Sequence, residues 1–133
     1  MTRINVVPVE ELSNQWLIAE YRELPRCIKQ NINVDNAPEF YILGSGHMKW
    51  ARSHTIYLLK RFFKLCGEMR YRGFKVNHSP YRLLLRALWS VPLICWKDYK
   101  PYRADIVYNR SRLRKRYNFK HKWTGRQKPF WIF

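Results

Sequence analysis

Between Ser53 and Gly73, apolar side chains recur at Ile56, Leu59, Phe63, Cys66 and Met69. Steps of three and four residues line up on one face of an α-helix and scatter over both faces of a strand. Ser53 is a good N-cap, and Gly73 stands where a helix ends in a left-handed residue. The spacing predicts a helix from Ser53 to Gly73. No alternating strand pattern of convincing length occurs in the chain, so the expected fold class is all-α.

Weaker signals mark the other helices. Pro8 with Glu10 and Glu11 suits a helix start. Leu17, Tyr21, Leu24 and Ile28 then form a core stripe, so the first helix is expected from Pro8 or Ser13 to Ile28, kinked at Pro25. A short helix is expected over residues 80–89, opening at Pro80, and a third long one from Tyr102 to Tyr117. In the latter, Ala104, Val107, Tyr108, Ser111 and Tyr117 are expected inward. Arg110, Arg112, Arg114, Lys115 and Arg116 are expected outward or along the edges. Residues 30–40 read as a loop. Gly44-Ser45-Gly46-His47 lacks the spacing of a phosphate-binding loop and reads as a tight turn with close backbone packing.

At 133 residues and 47% hydrophobic content, the chain suits one domain, 1–133, with a real core. Its longest apolar stretch, Ala87 to Trp96, is broken by Ser90 and Pro92. It falls short of the roughly 20 residues of a membrane-spanning helix. No signal peptide is visible in Met1-Thr2-Arg3-Ile4-Asn5. The odd, widely spaced cysteines Cys27, Cys66 and Cys95 argue for a reducing cytosol rather than a disulfide framework. The histidines His47, His54, His78 and His121 lack zinc spacing, so no metal is expected.

The net charge is +17, unevenly placed. Residues 1–39 carry six acids and four bases, whereas residues 40–133 carry 22 bases and only Glu68, Asp98 and Asp105 as acids. Such an excess answers to a polyanion, and its interleaving with aromatics suits nucleic acid better than a bilayer. The run Arg110 to Arg116, continued by Tyr117, Phe119, Lys120, Lys122, Trp123 and Arg126, is the expected contact surface. The acidic N-terminal segment reads either as a solvated helix face or as a carboxylate working beside nucleic acid. Arg22 and Arg26 lie four residues apart with Glu23 beside them. That arrangement fits a surface ion-pair network, or phosphate contacts flanking a catalytic carboxylate.

The N-terminus offers a different chemistry. A small second residue permits removal of Met1, which leaves Thr2 with a free α-amine. Its reference pKa is about 7.7–8.0, against about 10.4 for lysine. An appreciable fraction of it is therefore unprotonated at neutral pH and able to form an imine with a sugar carbon.

The blocks Met1-Thr2-Arg3-Ile4-Asn5, Glu11-Leu12 and Ala19-Glu20-Tyr21-Arg22-Glu23-Leu24-Pro25-Arg26 closely resemble the endonuclease V family of T-even phages. Those proteins are pyrimidine-dimer DNA glycosylases and abasic-site lyases. The likeness continues at Ile42-Leu43-Gly44, Gly46-His47, Arg72-Gly73-Phe74, Asp98-Tyr99, Pro101 and Arg112-Leu113. The resemblance implies a compact domain of three main helices with the N-terminal segment threaded between them. It makes the Thr2 amine the nucleophile and Glu23 the catalytic carboxylate. Arg3, Arg22 and Arg26 would grip the backbone around the lesion. Arg112, Arg116 (in place of the family's lysine) and Trp123 would add DNA contacts. No metal and no organic cofactor is implied. The implied partner is double-stranded DNA containing damaged pyrimidines, bound by a monomer in the cytoplasm of a phage-infected bacterium. One departure is Trp16, where the family usually has His, expected one face away from the catalytic residues. Two other readings remain at this point: a non-enzymatic DNA-binding protein on the same scaffold, and a glycosylase for a different lesion.

Overall fold

The computed structural model describes residues 3–29 and 33–133; the expected nucleophile Thr2, with Met1, and residues 30–32 of the expected loop lie outside the described residues. Five α-helices are present: α1 (Asn14–Glu23), α2 (His47–Ser53), α3 (Thr55–Tyr71), α4 (Pro80–Ser90) and α5 (Arg103–Arg116). Short 3-10 turns cover Val9–Glu11, Leu24–Cys27 and Leu93–Cys95. No strand forms among the described residues; His54 and Trp96 make a single antiparallel bridge. The all-α expectation holds. Among the described residues no helix is long and apolar enough to cross a membrane.

The first helix is shorter than expected. Pro8 precedes a separate turn, and α1 starts at Asn14, where the Ser13 hydroxyl accepts the Trp16 amide. Pro25 does not merely kink α1: the chain tightens into the Leu24–Cys27 turn, because proline cannot donate the next helical bond. The stripe itself is as expected, with Leu17, Tyr21, Leu24 and Ile28 all buried.

The central helix also starts late. Its cap is His54, because the Ser53 hydroxyl donates instead to the Trp50 carbonyl of α2, a helix the sequence reading did not anticipate. At the other end Gly73 is left-handed (φ 84°) and the Phe74 amide returns to the Met69 carbonyl, as expected. The buried face of α3 runs through Leu58, Phe62, Leu65 and Met69, while Phe63 is exposed. α3 packs against α1, α2, α4 and the Val9–Glu11 and Leu24–Cys27 turns, leaving Lys60, Phe63, Lys64, Gly67, Arg70 and Tyr71 to water. Phe62 stacks on Tyr21 at 5.6 Å between ring centres.

The expected inward set of α5 is corrected. Ala104, Val107, Tyr108 and Ser111 are exposed, Tyr117 is half-buried, and the face turned in is Ile106, Asn109 and Leu113. A polar residue sits at its centre because the partner is bare backbone. Asn109 Oδ1 accepts the amides of Val6 (2.8 Å) and Val7 (3.2 Å). The side-chain amide of Asn109 donates to Asn5 Oδ1 at 2.9 Å.

That backbone belongs to residues 4–7, which run through the interior without a β partner. Buried peptide groups need hydrogen bonds, and here side chains supply them. The Ile4 carbonyl accepts from the Tyr41 hydroxyl at 2.8 Å and the Asn5 carbonyl from the Tyr57 hydroxyl at 2.9 Å. Arg61 donates to the Val7 carbonyl. The N-terminal segment is thus threaded between the helices, as the resemblance implied.

The tail, residues 118–133, is not simply a contact surface. Its Lys122 carbonyl accepts the Asn14 amide at 2.7 Å, and Trp131 and Ile132 are buried. Arg126 pairs with Glu68 (2.9 Å) and Arg110 with Glu11 (2.7 Å), so two cations of the expected DNA surface are engaged inside the fold.

Candidate active site

One face of α1 carries Trp16, Ala19, Glu20 and Glu23, at intervals of three and four. These four residues line a small cleft of about 140 Å³. Arg3 and Asn5 of the threaded segment and Leu113 and Arg116 of α5 close it. The expected residues Arg3, Glu23 and Arg116 are therefore brought together. Trp16 is corrected: it lines this same cleft rather than a neighbouring face, since residues seven apart lie nearly in line on a helix.

Among the described residues lining the cleft, Glu20 and Glu23 are the carboxylates, and their surroundings separate their roles. The Glu20 side chain is 1% exposed and accepts from Asn5 (2.8 Å) and from Arg61 Nε and Nη2 (2.8 and 3.1 Å). Burial alone would weaken the Arg61 cation, but the Glu20 carboxylate outweighs it and drives the guanidinium pKa up. Glu20 is a structural anchor of the threaded segment. Glu23 is 31% exposed and faces the cleft at the point where α1 ends. Its carboxylate meets Arg26 Nη1 at 3.1 Å.

The cations here strain against one another. Burial, then Arg116 and Arg112, push the Arg3 guanidinium below its ordinary value. A bound anion would offset the repulsion between these cations. Arg112 lies against the Tyr108 ring, 5.6 Å from its centre, and donates to its hydroxyl at 3.3 Å. Arg22 and Arg26 open onto a second, wider cleft of about 800 Å³, shared with Lys29, His78 and Arg86. Among the described residues that line it, none is a carboxylate.

Trp123 stands outside the first cleft. Its indole N–H donates to the Glu11 carbonyl at 2.9 Å and its ring meets Trp16 edge-on at 6.2 Å. Trp131 stacks on the same Trp16 at 6.3 Å and donates to Glu11 Oε1 at 2.6 Å. Trp16 is thus held by aromatics of the tail.

Glu20 and Arg61 escaped the sequence reading although a signal exists. Each is a charge on an apolar helical face: Glu20 with Leu17 and Tyr21 on α1 and Leu24 just past its end, and Arg61 with Leu58, Phe62 and Leu65 on α3. Opposite charges in such positions point to a buried pair. Asn5 and Asn109 carry no comparable signal.

The first 81 residues match a known family model, that of the pyrimidine dimer DNA glycosylases. The match spans the threaded segment, α1, α2 and α3, hence every lining residue of the small cleft except Leu113 and Arg116. Covering more than half of the chain, it agrees with the resemblance read from the N-terminal blocks, and the chain belongs to the pyrimidine dimer DNA glycosylase family.

Proposed function

We propose that this glycosylase is also an abasic-site lyase, and that both activities run through an imine on the α-amine of Thr2. The observation that carries the reading is the convergence of Arg3, Arg116 and Glu23 on one cleft, Arg3 being the first described residue of the threaded segment. Residue 3 lines that cleft, and one residue of extended chain spans at most about 3.6 Å.

In the first step the Thr2 nitrogen attacks C1′ of the damaged nucleotide. The bond from C1′ to the base breaks, the electron pair leaving with the base. Opening of the sugar ring, with a proton delivered to its oxygen, leaves a protonated imine. In the second step Glu23 takes a proton from C2′, and the electrons expel the 3′ phosphate by β-elimination. Water then releases the amine. Glu23 suits this role because it is accessible and close to cations that also hold the phosphate. Arg3, Arg112 and Arg116 hold the backbone on one side of α1, and Arg22 and Arg26 on the other. Trp123 contributes by holding Trp16 against the cleft. The catalytic domain comprises residues 1–133 and works as a monomer on double-stranded DNA with damaged pyrimidines, in the cytoplasm of a phage-infected bacterium.

A duplex with one cyclobutane pyrimidine dimer tests this. The expected product is a strand broken at the dimer, ending in an unsaturated aldehyde. An intact abasic strand would leave a glycosylase without lyase activity, and an unaltered duplex at saturating protein would leave a binding protein. Trp16 lines the cleft, so a panel of other base lesions in the same duplex measures how far its bulk sets lesion choice.

A further inference from the structure

The turn at residues 44–47 plays no part in the chemistry above. Gly44 and Gly46 are left-handed (φ 81° and 88°), and a Cβ on Gly46 would stand 3.3 Å from Pro38 Cγ. The turn delivers His47 into the interior, where it is 2% exposed. Its Nδ1 lies 2.6 Å from the Ile42 carbonyl and its Nε2 lies 2.9 Å from the Ile4 amide nitrogen. A carbonyl can only accept, so Nδ1 carries the proton. A backbone N–H can only donate, so Nε2 is bare. Both contacts hold together only in the neutral ring.

Ile4 is the first fully buried residue of the threaded segment, two residues beyond Thr2. We infer that His47 is a positioning residue for the N-terminal amine: its bare Nε2 fixes the Ile4 amide and so sets where the chain end reaches the sugar. This rests on the reading that the Thr2 amine is the nucleophile. The Tyr41 hydroxyl, on the Ile4 carbonyl, holds the other side of the same residue.

Protonating His47 turns the acceptor into a donor facing a donor, and the clamp opens. The groups around the ring oppose that step. Burial acts first and the Arg3 cation on the threaded segment adds to it, both lowering the pKa below the ordinary 6.5, while the Ile42 carbonyl pulls the other way. Tyr41 meets the ring edge-on at 5.7 Å and Trp50 of α2 stacks on it at 6.0 Å. The clamp is therefore closed at neutral pH and opens only on acidification below the ordinary histidine range.

Two variants separate the ring's two bonds. In His47→Gln the side-chain carbonyl oxygen can stand in for Nε2 as acceptor, so this variant keeps the clamp and cannot be protonated. In His47→Asn the shorter side chain's NH₂ can stand in for Nδ1, so this variant keeps the Ile42 bond and loses the clamp. Two readouts on the full chain are needed: hydrogen exchange of the Ile4 amide, and single-turnover borohydride trapping on dimer-containing DNA from pH 5 to 8.

In the wild type, trapping falls as the amine protonates and falls more steeply once His47 protonates, with Ile4 protection, taken relative to the intrinsic exchange rate at each pH, falling in the same range. His47→Gln traps like wild type near neutrality and lacks the extra acid loss. His47→Asn loses Ile4 protection and traps roughly tenfold to a hundredfold more slowly at pH 7.5, the scale of a misplacement near 1 Å. Its DNA affinity is unchanged, and retained exchange protection in α3 shows that it is folded. If folded His47→Asn keeps the wild-type trapping rate and pH profile, the positioning role is wrong while the amine mechanism stands. A wild-type crosslink on a lysine overturns both. The two failures are distinguishable, because Ile4 exchange is read without any chemistry on DNA.

Discussion

Arg26 lies 3.1 Å from Glu23, across the junction where α1 gives way to the Leu24–Cys27 turn. Pro25 makes that junction, so the break in the helix sets the direction in which the cation meets the carboxylate. The pair is largely exposed, with side-chain exposures of 71% and 31%, and contributes little to stability. In the proposed mechanism its role is chemical. Arg26 holds the Glu23 carboxylate beside the cleft and also faces the wider basic cleft on the other side of α1.

Glu23→Gln preserves size and removes the base. Strand cleavage at a dimer is expected to fall by about 10²–10⁴, the usual worth of a positioned general base. DNA affinity in a gel shift should stay within about threefold, under 1 kcal/mol. Wild-type nicking by this variant would remove Glu23 from the mechanism.

Affinity for DNA should fall steeply with salt. If about six to eight phosphates are neutralised, log K against log salt has a slope of about −5 to −7. Arg112→Ala and Arg116→Ala should each make it shallower by about one. Arg126→Ala should not, because that guanidinium is bonded to Glu68 at 2.9 and 3.0 Å. A flat dependence would mean that the positive charge serves something other than DNA.

Arg61→Ala leaves the Glu20 carboxylate buried without its cation. The cost is expected at about 3–5 kcal/mol, a large part of the roughly 5–15 kcal/mol that holds a domain folded. The double variant Glu20→Gln with Arg61→Met should recover much of it in urea unfolding. A single variant as stable as wild type would mean that the pair does not anchor the threaded segment.

Acid should destabilise the fold through Glu68. Burial acts first and would raise its pKa, but hydrogen bonds and charge from Arg126 and Arg72 together bring it below the ordinary value. A depressed carboxyl pKa stabilises the folded state above the unfolded value of about 4.3. That contribution is lost as pH falls through the folded value. Glu68→Gln should lower stability at pH 7 and flatten its decline between about pH 5 and 2. Urea unfolding across that range reads it out. A decline unchanged in the variant would assign acid unfolding elsewhere.

The helices were legible where period and punctuation agreed: Pro80 opens α4 and Gly73 closes α3, whereas the Asp105 cap on the Tyr102 amide at 2.9 Å, at the start of α5, went unread. The faces were less so. Choosing Phe63 over Phe62 follows from treating α3 as a one-sided helix, whereas it is covered from several directions. α5 has too few apolar residues for a stripe, because its partner is peptide backbone reached by Asn109. The tail lacks period because Trp131 and Ile132 pack singly from an irregular segment. Of the small cleft, Arg3, Glu23 and Arg116 were given roles from sequence through the family resemblance. Asn5 and Glu20 stand in the matching blocks but were given none, since their roles depend on partners far along the chain.

The central claim is that the covalent intermediate forms on the amine of Thr2. Borohydride reduction during turnover, followed by digestion and mass spectrometry of the DNA-linked peptide, tests it most directly. The account predicts a crosslink on the N-terminal peptide beginning at Thr2. It also predicts that acetylating that amine, or retaining Met1, lowers trapping by orders of magnitude while Thr2→Ser is tolerated. A crosslink on a lysine such as Lys49 or Lys120, or efficient cleavage with no trappable species, would contradict it.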